Sequence, residues 1–497
     1  MSPVATATTC DTPRDGFRDG GPAERAESRL AGGGTLRAPA VTSLPSASRG
    51  TLAAVPPSVL PLAAAAVAFL AAQGLGRFGF GLVLPAMRDA LGLSTGEMGV
   101  LAGIGLAAYL FSSAPAGALA ARVGTRWVVV AGLLGTAAGL AATGLASGFL
   151  TAVLAQALVG ASAPLAIVPI LAIAGRWVAP AFRGRATGLV VAGGGLGLLL
   201  AGLLVPWLLG PGDAWAWRRA WWGLAAGVLL AAVVAAAFLR DPPPGLREAK
   251  TPGAGPTPAS GGSLARSVYR RGAVWRLALV FGLYGVSYIV YGTFFAAHLQ
   301  RHGLDAATAG RIWSVAGLVA IGSGLLGGTL ADRLGPSAAL VVMFALQGTG
   351  MATLALGDTL GWFALSAVVY GLSLWGFPPA ISKACTELVG PRLAPAALGL
   401  MATAFAVGQA GGPIAAGLLA DATGSLAPGL LFGALTDALG AAFAWWIRRD
   451  RPPSTPRRRP EERWHGSCVY MGAESRFRGR RRHRGQRGFS RRLRRLL

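Results

Sequence analysis

Lysine is almost missing from this chain: Lys250 and Lys383 are the only two. Neither follows a glycine, so the Gly-Lys-Ser/Thr step of a P-loop cannot occur and a standard ATPase site is excluded from this chain. Charge of both signs is scarce, at 13% of residues against about 25% in soluble domains. The three cysteines, Cys10, Cys385 and Cys468, lie far apart and match neither zinc nor disulfide spacing, so free thiols are expected. No His-Glu-x-x-His stretch occurs, and no metal site or enzyme activity is expected. The first 57 residues lack the apolar core beside a basic start that marks a signal peptide.

What is abundant is apolar: 53% of residues are hydrophobic and the mean hydropathy is +0.54. This balance predicts an all-α integral membrane protein. Twelve runs are each long enough to span a bilayer as a helix, which takes about 20 residues. They fall near 59–83, 97–116, 127–147, 149–173, 185–209 and 219–239, then 272–297, 310–331, 337–357, 360–381, 395–419 and 427–447. The expected organisation is a disordered extension over 1–57, a six-helix bundle over 58–240, a Pro/Gly-rich cytoplasmic linker over 241–271, a second bundle over 272–447 and a basic disordered tail over 448–497. A start site placed too far upstream is the alternative for the first region, and a frame-shifted extension for the last.

The net charge of +25 is largely a tail property, since residues 448–497 hold 18 arginines against four acids. Only Phe477 and Phe489 are interleaved there, which is thin for base stacking. Anionic lipid headgroups suit the tail better, and no specific nucleic-acid partner is expected. Between the ends, fifteen basic residues fall on one side of the spans and five on the other. The positive-inside rule then puts both termini in the cytoplasm. Arginine, alanine and glycine in place of lysine point to a GC-rich bacterial genome, hence to a multi-pass protein of the inner membrane, expected as a monomer.

The halves repeat. Shifted by 211 residues, Gly74 falls on Gly285, Gly81 on Gly292, Gly117 on Gly328, Gly160 on Gly371 and Gly188 on Gly399. Six helices per half give both halves the same orientation, a parallel repeat about an axis along the membrane normal. Such a pair encloses a site at the midplane, and rocking of one bundle against the other gives alternating access.

The stretch "GGTLADRLGPS" (327–337) resembles the signature loop of the major facilitator superfamily, and "GALAARVGTR" (117–126) is its first-half partner. "GLGRFGFGLVLPAM" (74–87), "YGVSYIVYGTFF" (284–295) and "GQAGGPIAAGLLADATGS" (408–425) resemble its YbfB-like branch. The resemblance covers roughly residues 58–447. It implies a conformational latch built from Gly117, Arg122, Gly124, Gly328, Asp332, Arg333 and Gly335, with Asp332 meeting a helix N-terminus or an arginine across the bundle interface. A tight loop with a surface ion pair is the plainer reading. Three positions depart from family patterns: Ala121 replaces the acidic residue of the first loop, Gln156 replaces a helix-4 arginine, and the fifth span lacks the Gly-Pro pair of drug antiporters.

Arg77 sits inside the first apolar run, where a charge is costly and usually faces a cavity or a partner. A cavity-facing arginine is the leading reading; a structural bridge and an interfacial position are the alternatives. The repeat puts Tyr288 opposite it, and Tyr284, Tyr288 and Tyr291 share one helical face. That face is either pocket lining or aromatic packing. Gln156 and Gln409 are further polar candidates, or interhelical hydrogen bonds. Asp437, the only carboxylate squarely within a span, reads as packed rather than proton-carrying. Lys383 and Glu387 are spaced to pair, and His298 with His302 is too few for a metal.

The expected function is secondary transport of a small organic solute, a carboxylate or other anion, with no cofactor and with proton or ion coupling left open. The alternatives are an efflux pump for drug-like compounds and a transporter-like receptor signalling through the basic tail.

Overall fold

The computed structural model describes residues 59–174, 177, 183–210, 213–241, 268–391 and 393–449, all within one compact unit, Pro56–Leu497. The expectations for 1–57, for most of the linker and for the tail beyond 449 lie outside the described residues.

Among the described residues twelve helices are long and apolar enough to cross a membrane. They are α1 (Leu60–Leu91), α2 (Thr95–Val123), α3 (Thr125–Gly144), α4 (Phe149–Ala172), α5 (Arg185–Leu209), α6 (Ala216–Phe238), α7 (Gly272–Arg301), α8 (Ala306–Leu334), α9 (Pro336–Leu356), α10 (Leu360–Val389), α11 (Ala394–Thr423) and α12 (Ala427–Ile447). The span expected over 59–83 is too short: the helix carries Pro85 inside and runs on to Gly92, whose φ of +66° ends it. The span expected over 360–381 stops short of Val389, and α10 is interrupted at Leu374–Gly376 before it restarts at Phe377 with two prolines in its first turn.

Helix α1 is not uniform. Residues Leu70–Phe78 form a π turn, closed by Gly79 N–H donating to the Gly74 carbonyl at 2.9 Å. Glycines at 74, 76 and 79 lower the resistance of the backbone to leaving α geometry. π turns within α-helices recur at functional sites, and this one carries Arg77.

The 211-residue repeat reappears as packing. A Cβ at Gly99 of α2 would strike the Pro413 backbone of α11, and one at Gly310 of α8 would strike the Gly202 backbone of α5. Both members of the second contact are those of the first shifted by 211 residues. The approach of Gly160 to Gly105 recurs as Gly371 to Ala316. Gly81 and Gly292, equivalent in the two halves, meet each other where α1 crosses α7. Small residues let helix backbones approach in a setting where lipid supplies no hydrophobic drive between helices.

The contacts that join the halves at Gly99–Pro413 and Gly310–Gly202 lie towards the end of the molecule that carries Thr95. At the opposite end, which carries Val123, a Cβ at Gly117, Gly188 or Gly399 would meet nothing within 4 Å. One at Gly328 would meet only Pro379 Cβ, at 3.8 Å. The pairs α2/α11 and α5/α8 are therefore closed at the Thr95 end and apart at the Val123 end.

Candidate functional site

Arg77 leaves the π turn of α1 and reaches the other half. Its Nη2 donates to Oε1 of Gln409 on α11 at 2.7 Å. The guanidinium carbon lies 5.3 Å from the ring centre of Tyr109 on α2 and 5.8 Å from that of Tyr288 on α7. Aromatic faces attract a cation at this range. No carboxylate contacts Arg77 among the described residues, and its buried Nε has no hydrogen-bond partner there. Gln409 Nε2 is likewise buried and without a partner. The charge is thus set among neutral acceptors and rings, and the interfacial alternative fails because its contacts are interior.

Arg77 also lines a cavity of about 60 Å³ together with Gly76, Gly81, Gly105, Tyr109 and Gln156. That is room for on the order of four waters, or for a small polar solute. The cavity and the bridge, posed as alternatives in the sequence, are one place. The glycines that admit backbone contact also leave this space beside the arginine.

The tyrosine face divides. Tyr288 accepts from Gln73 Nε2 at 3.5 Å and meets Phe78 edge-on at 5.7 Å, beside Arg77. Tyr284 instead donates to the carbonyl of Leu374 at 2.8 Å, a group freed by the break in α10, and stacks on Phe377 at 3.9 Å. Tyr291 stacks on Tyr370 at 3.7 Å and its hydroxyl pairs with Ser366 at 2.9 Å. Of the two readings of this face, aromatic packing describes Tyr284 and Tyr291, whose hydroxyls are engaged by α10, while Tyr288 lies beside Arg77. Gln156 lines the cavity while donating to Thr143 Oγ1 at 3.1 Å. Tyr109 was missed. Its signal in the sequence is a lone tyrosine in an apolar run, which spacing alone did not connect to Arg77.

Asp437 is fully buried in α12, where its Oδ1 accepts from Ser287 at 2.5 Å and from Gln347 at 3.3 Å. Helix α7 therefore presents Tyr288 towards Arg77 and Ser287 towards Asp437. His298 and His302 lie with ring centres 4.5 Å apart, and no cluster of three metal-ligating side chains occurs among the described residues.

The expected latch is differently built. Asp332 pairs with Lys383 of its own half at 2.7 Å, so its partner is neither an arginine nor across the interface. Lys383 also donates to the Ala331 carbonyl at 2.9 Å. Arg122 and Arg333 are exposed, Gly124 and Gly335 take φ of +101° and +85° in matching loops, and Gly117 and Gly328 pack on little. The carboxylate that does cross the interface is Asp421 at the end of α11. Its two oxygens accept from the backbone N–H groups of Thr95 and Gly96 at 2.8 and 2.7 Å, the first turn of α2. Arg301 of α7 adds a bond to Thr95 Oγ1 at 3.0 Å.

Comparison with known proteins agrees with this architecture. The family model of the Major Facilitator Superfamily matches residues 66–409. Monocarboxylate transporter 13 of Rattus norvegicus is 29% identical over 330 residues, 65% of this chain and 74% of that protein. Monocarboxylate transporter 11 of Homo sapiens is 30% identical over 370 residues, 71% of this chain and 76% of that protein. Among solved structures, a bacterial homologue of the human lysosomal transporter Spinster, inward-facing and unoccupied, aligns with a TM-score of 0.67 at 18% identity, covering 80% of this chain and 98% of that one. The nucleoside transporter NupG aligns at 0.64 and 15% identity, covering 80% and 100%. Twelve spans in two repeated halves around a shared cavity, a matching family model and transporter relatives lead to one conclusion: the chain belongs to the major facilitator superfamily and is a multi-pass transporter of small organic solutes, not an enzyme.

Proposed function

We propose that this chain moves small organic anions, carboxylates foremost, by alternating access, with Arg77 as the anion-binding group. The observation that carries the proposal is a guanidinium that lines an interior cavity between the halves and contacts no carboxylate among the described residues. A membrane-embedded charge without a counter-charge is costly, and a planar fork of donors matches a carboxylate in shape and sign. The naming of the relatives for monocarboxylates supports the same substrate class.

Alternating access is supported by the unequal ends of the interface. Arginine placement puts the Thr95 end outside and the Val123 end towards the cytoplasm. A seam closed at Thr95 and spread at Val123 then corresponds to an inward-facing arrangement. In that arrangement Asp421 completes the α2 N-terminus from across the interface, a contact that must break for the outer side to open.

The test is uptake of radiolabelled lactate and benzoate by purified protein in liposomes. Arg77→Ala is expected to lower uptake by about 100-fold, the loss of roughly 3 kcal/mol of charge-assisted hydrogen bonding. Arg77→Lys keeps the charge but not the fork and is expected to fall nearly as far. Normal uptake by both variants rejects the assignment.

A further inference from the structure

We propose that Gln409 is a built-in stand-in for the carboxylate of the substrate, holding one arm of the Arg77 fork until an anion displaces it. The inference rests on the anion reading above. It is carried by how the pair is bonded.

An arginine meets a carboxylate best through two parallel N–H bonds. Gln409 supplies a single neutral oxygen, on Nη2 at 2.7 Å. The neighbouring Nε is buried and has no partner among the described residues, so the fork is half satisfied. The glutamine is half satisfied as well, since its own Nε2 is buried without an acceptor. Both residues sit in the interior: Gln409 is 2% exposed. A pair that leaves two buried donors unmet is a poor final state and a good competitor, strong enough to hold the fork and weak enough to yield. A carboxylate entering the cavity offers two charged oxygens to the same two nitrogens and outcompetes the amide. A neutral ligand offers no charge and does not.

Displacement also has a mechanical consequence. Arg77–Gln409 is the side-chain hydrogen bond that ties α1 to α11 among the described residues. Helix α11 carries both Gln409 and, twelve residues further on, Asp421. At the α-helical rise this is about 18 Å. The same helix, with Pro413 between the two positions, thus joins the anion site to the contact that closes the Thr95 end. Gln409 is a positioning and specificity residue: it sets the strength with which an anion must bind Arg77 before α11 is freed from it.

Gln409→Glu tethers a carboxylate to the fork and tests the idea without any substrate. The purified variant is expected to melt at least about 2 °C above wild type. The rise should disappear when Arg77→Gln is added. Lactate and benzoate should no longer shift its melting temperature, and uptake should fall at least 20-fold, a tethered ligand competing at high effective concentration. Gln409→Ala removes the competitor without adding charge, and its half-saturating lactate concentration is expected to drop by roughly threefold. Melting of Gln409→Glu at or below wild type, or a rise that survives Arg77→Gln, overturns the proposal. So does an unchanged half-saturating concentration in Gln409→Ala. If wild type takes up neither probe while the Arg77-dependent rise is present, the anion reading has failed and the proposal falls with it. If lactate uptake is intact and the rise is absent, the stand-in role alone falls.

Discussion

The two ends of the interface between the halves are made from one repeat and packed in opposite ways. At the Thr95 end, Gly99 and Gly310 accept a neighbouring backbone and Asp421 completes the first turn of α2. At the Val123 end, the matched pairs Gly117/Gly328 and Gly188/Gly399 meet almost nothing. The signature-like loops lie at the second end, where the ion pair of Asp332 with Lys383 stays within its own half. The lesson is that the recognisable motif and the working contact of this conformation are at opposite ends. A two-state interface makes one set of contacts at a time, because packed helices switch between discrete arrangements rather than deform continuously.

The largest effect is expected where that contrast is attacked directly. Gly99→Leu drives a side chain into the Pro413 backbone and should cost about 3 kcal/mol, as overpacking does. Gly117→Leu, at the open end, should leave the melting temperature of the purified protein within about 1 °C of wild type. Both should reduce lactate uptake, since each hinders closure of its own end. Equal thermal destabilisation by the two would abolish the distinction between the ends.

Asp421→Ala comes next. It removes the acceptor of two N–H groups at a helix start, a change worth about 1–2 kcal/mol. A cysteine introduced by Met98→Cys, at a buried position beside this contact, should then react several-fold faster with a membrane-impermeant maleimide. An unchanged labelling rate would show that Asp421 does not hold this end shut.

At the Val123 end, Gly335→Ala forces a side chain into φ +85° with ψ 156°, a region nearly confined to glycine, and should cost at least about 1 kcal/mol by thermal melting, without altering maleimide labelling at position 98. Lys383→Met should change stability least, by under about 1 kcal/mol, since Asp332 is 76% exposed and surface pairs contribute little. A larger loss of stability would sharpen the contrast the other way, by marking this pair as structural for the closed form of the Val123 end.

The exposed Asp213–Arg219 pair, at 2.6 Å beside the start of α6, gives a pH control. The Arg219 hydrogen bond, ahead of a smaller opposing effect of desolvation, holds the Asp213 carboxyl below its ordinary range. A carboxyl lowered in the folded state contributes stability above its unfolded value and loses it as pH falls through the folded one. Arg219→Gln should therefore lower the melting temperature slightly at neutral pH and converge with wild type once Asp213 is protonated in both, so that the acid limb of the profile is flatter.

Much of the fold was legible in the residues. Bilayer thickness makes a span a matter of run length, so the twelve spans could be counted, and the 211-residue register could be read from glycine alone. Helix edges were less legible, as Pro85 inside α1 and the break in α10 show: neighbouring helices decide whether a proline ends a helix or is carried within it. In the site, Arg77 stood out because a charge in an apolar run is conspicuous, and Tyr288 followed from the repeat. Tyr109 and the separate fates of Tyr284 and Tyr291 were not visible. One helical face can look onto two neighbours, and period alone does not say which side chain meets which.

By itself, then, the sequence determined a twelve-span membrane protein, its repeated halves, and a lone buried arginine in need of a partner. Only the tertiary structure decided the partner, Gln409 of the other half, and which end of the interface is closed. The reason is physical. Hydropathy and small-residue spacing are properties of one segment at a time, whereas a hydrogen bond between residues 77 and 409 depends on the packing of every helix between them.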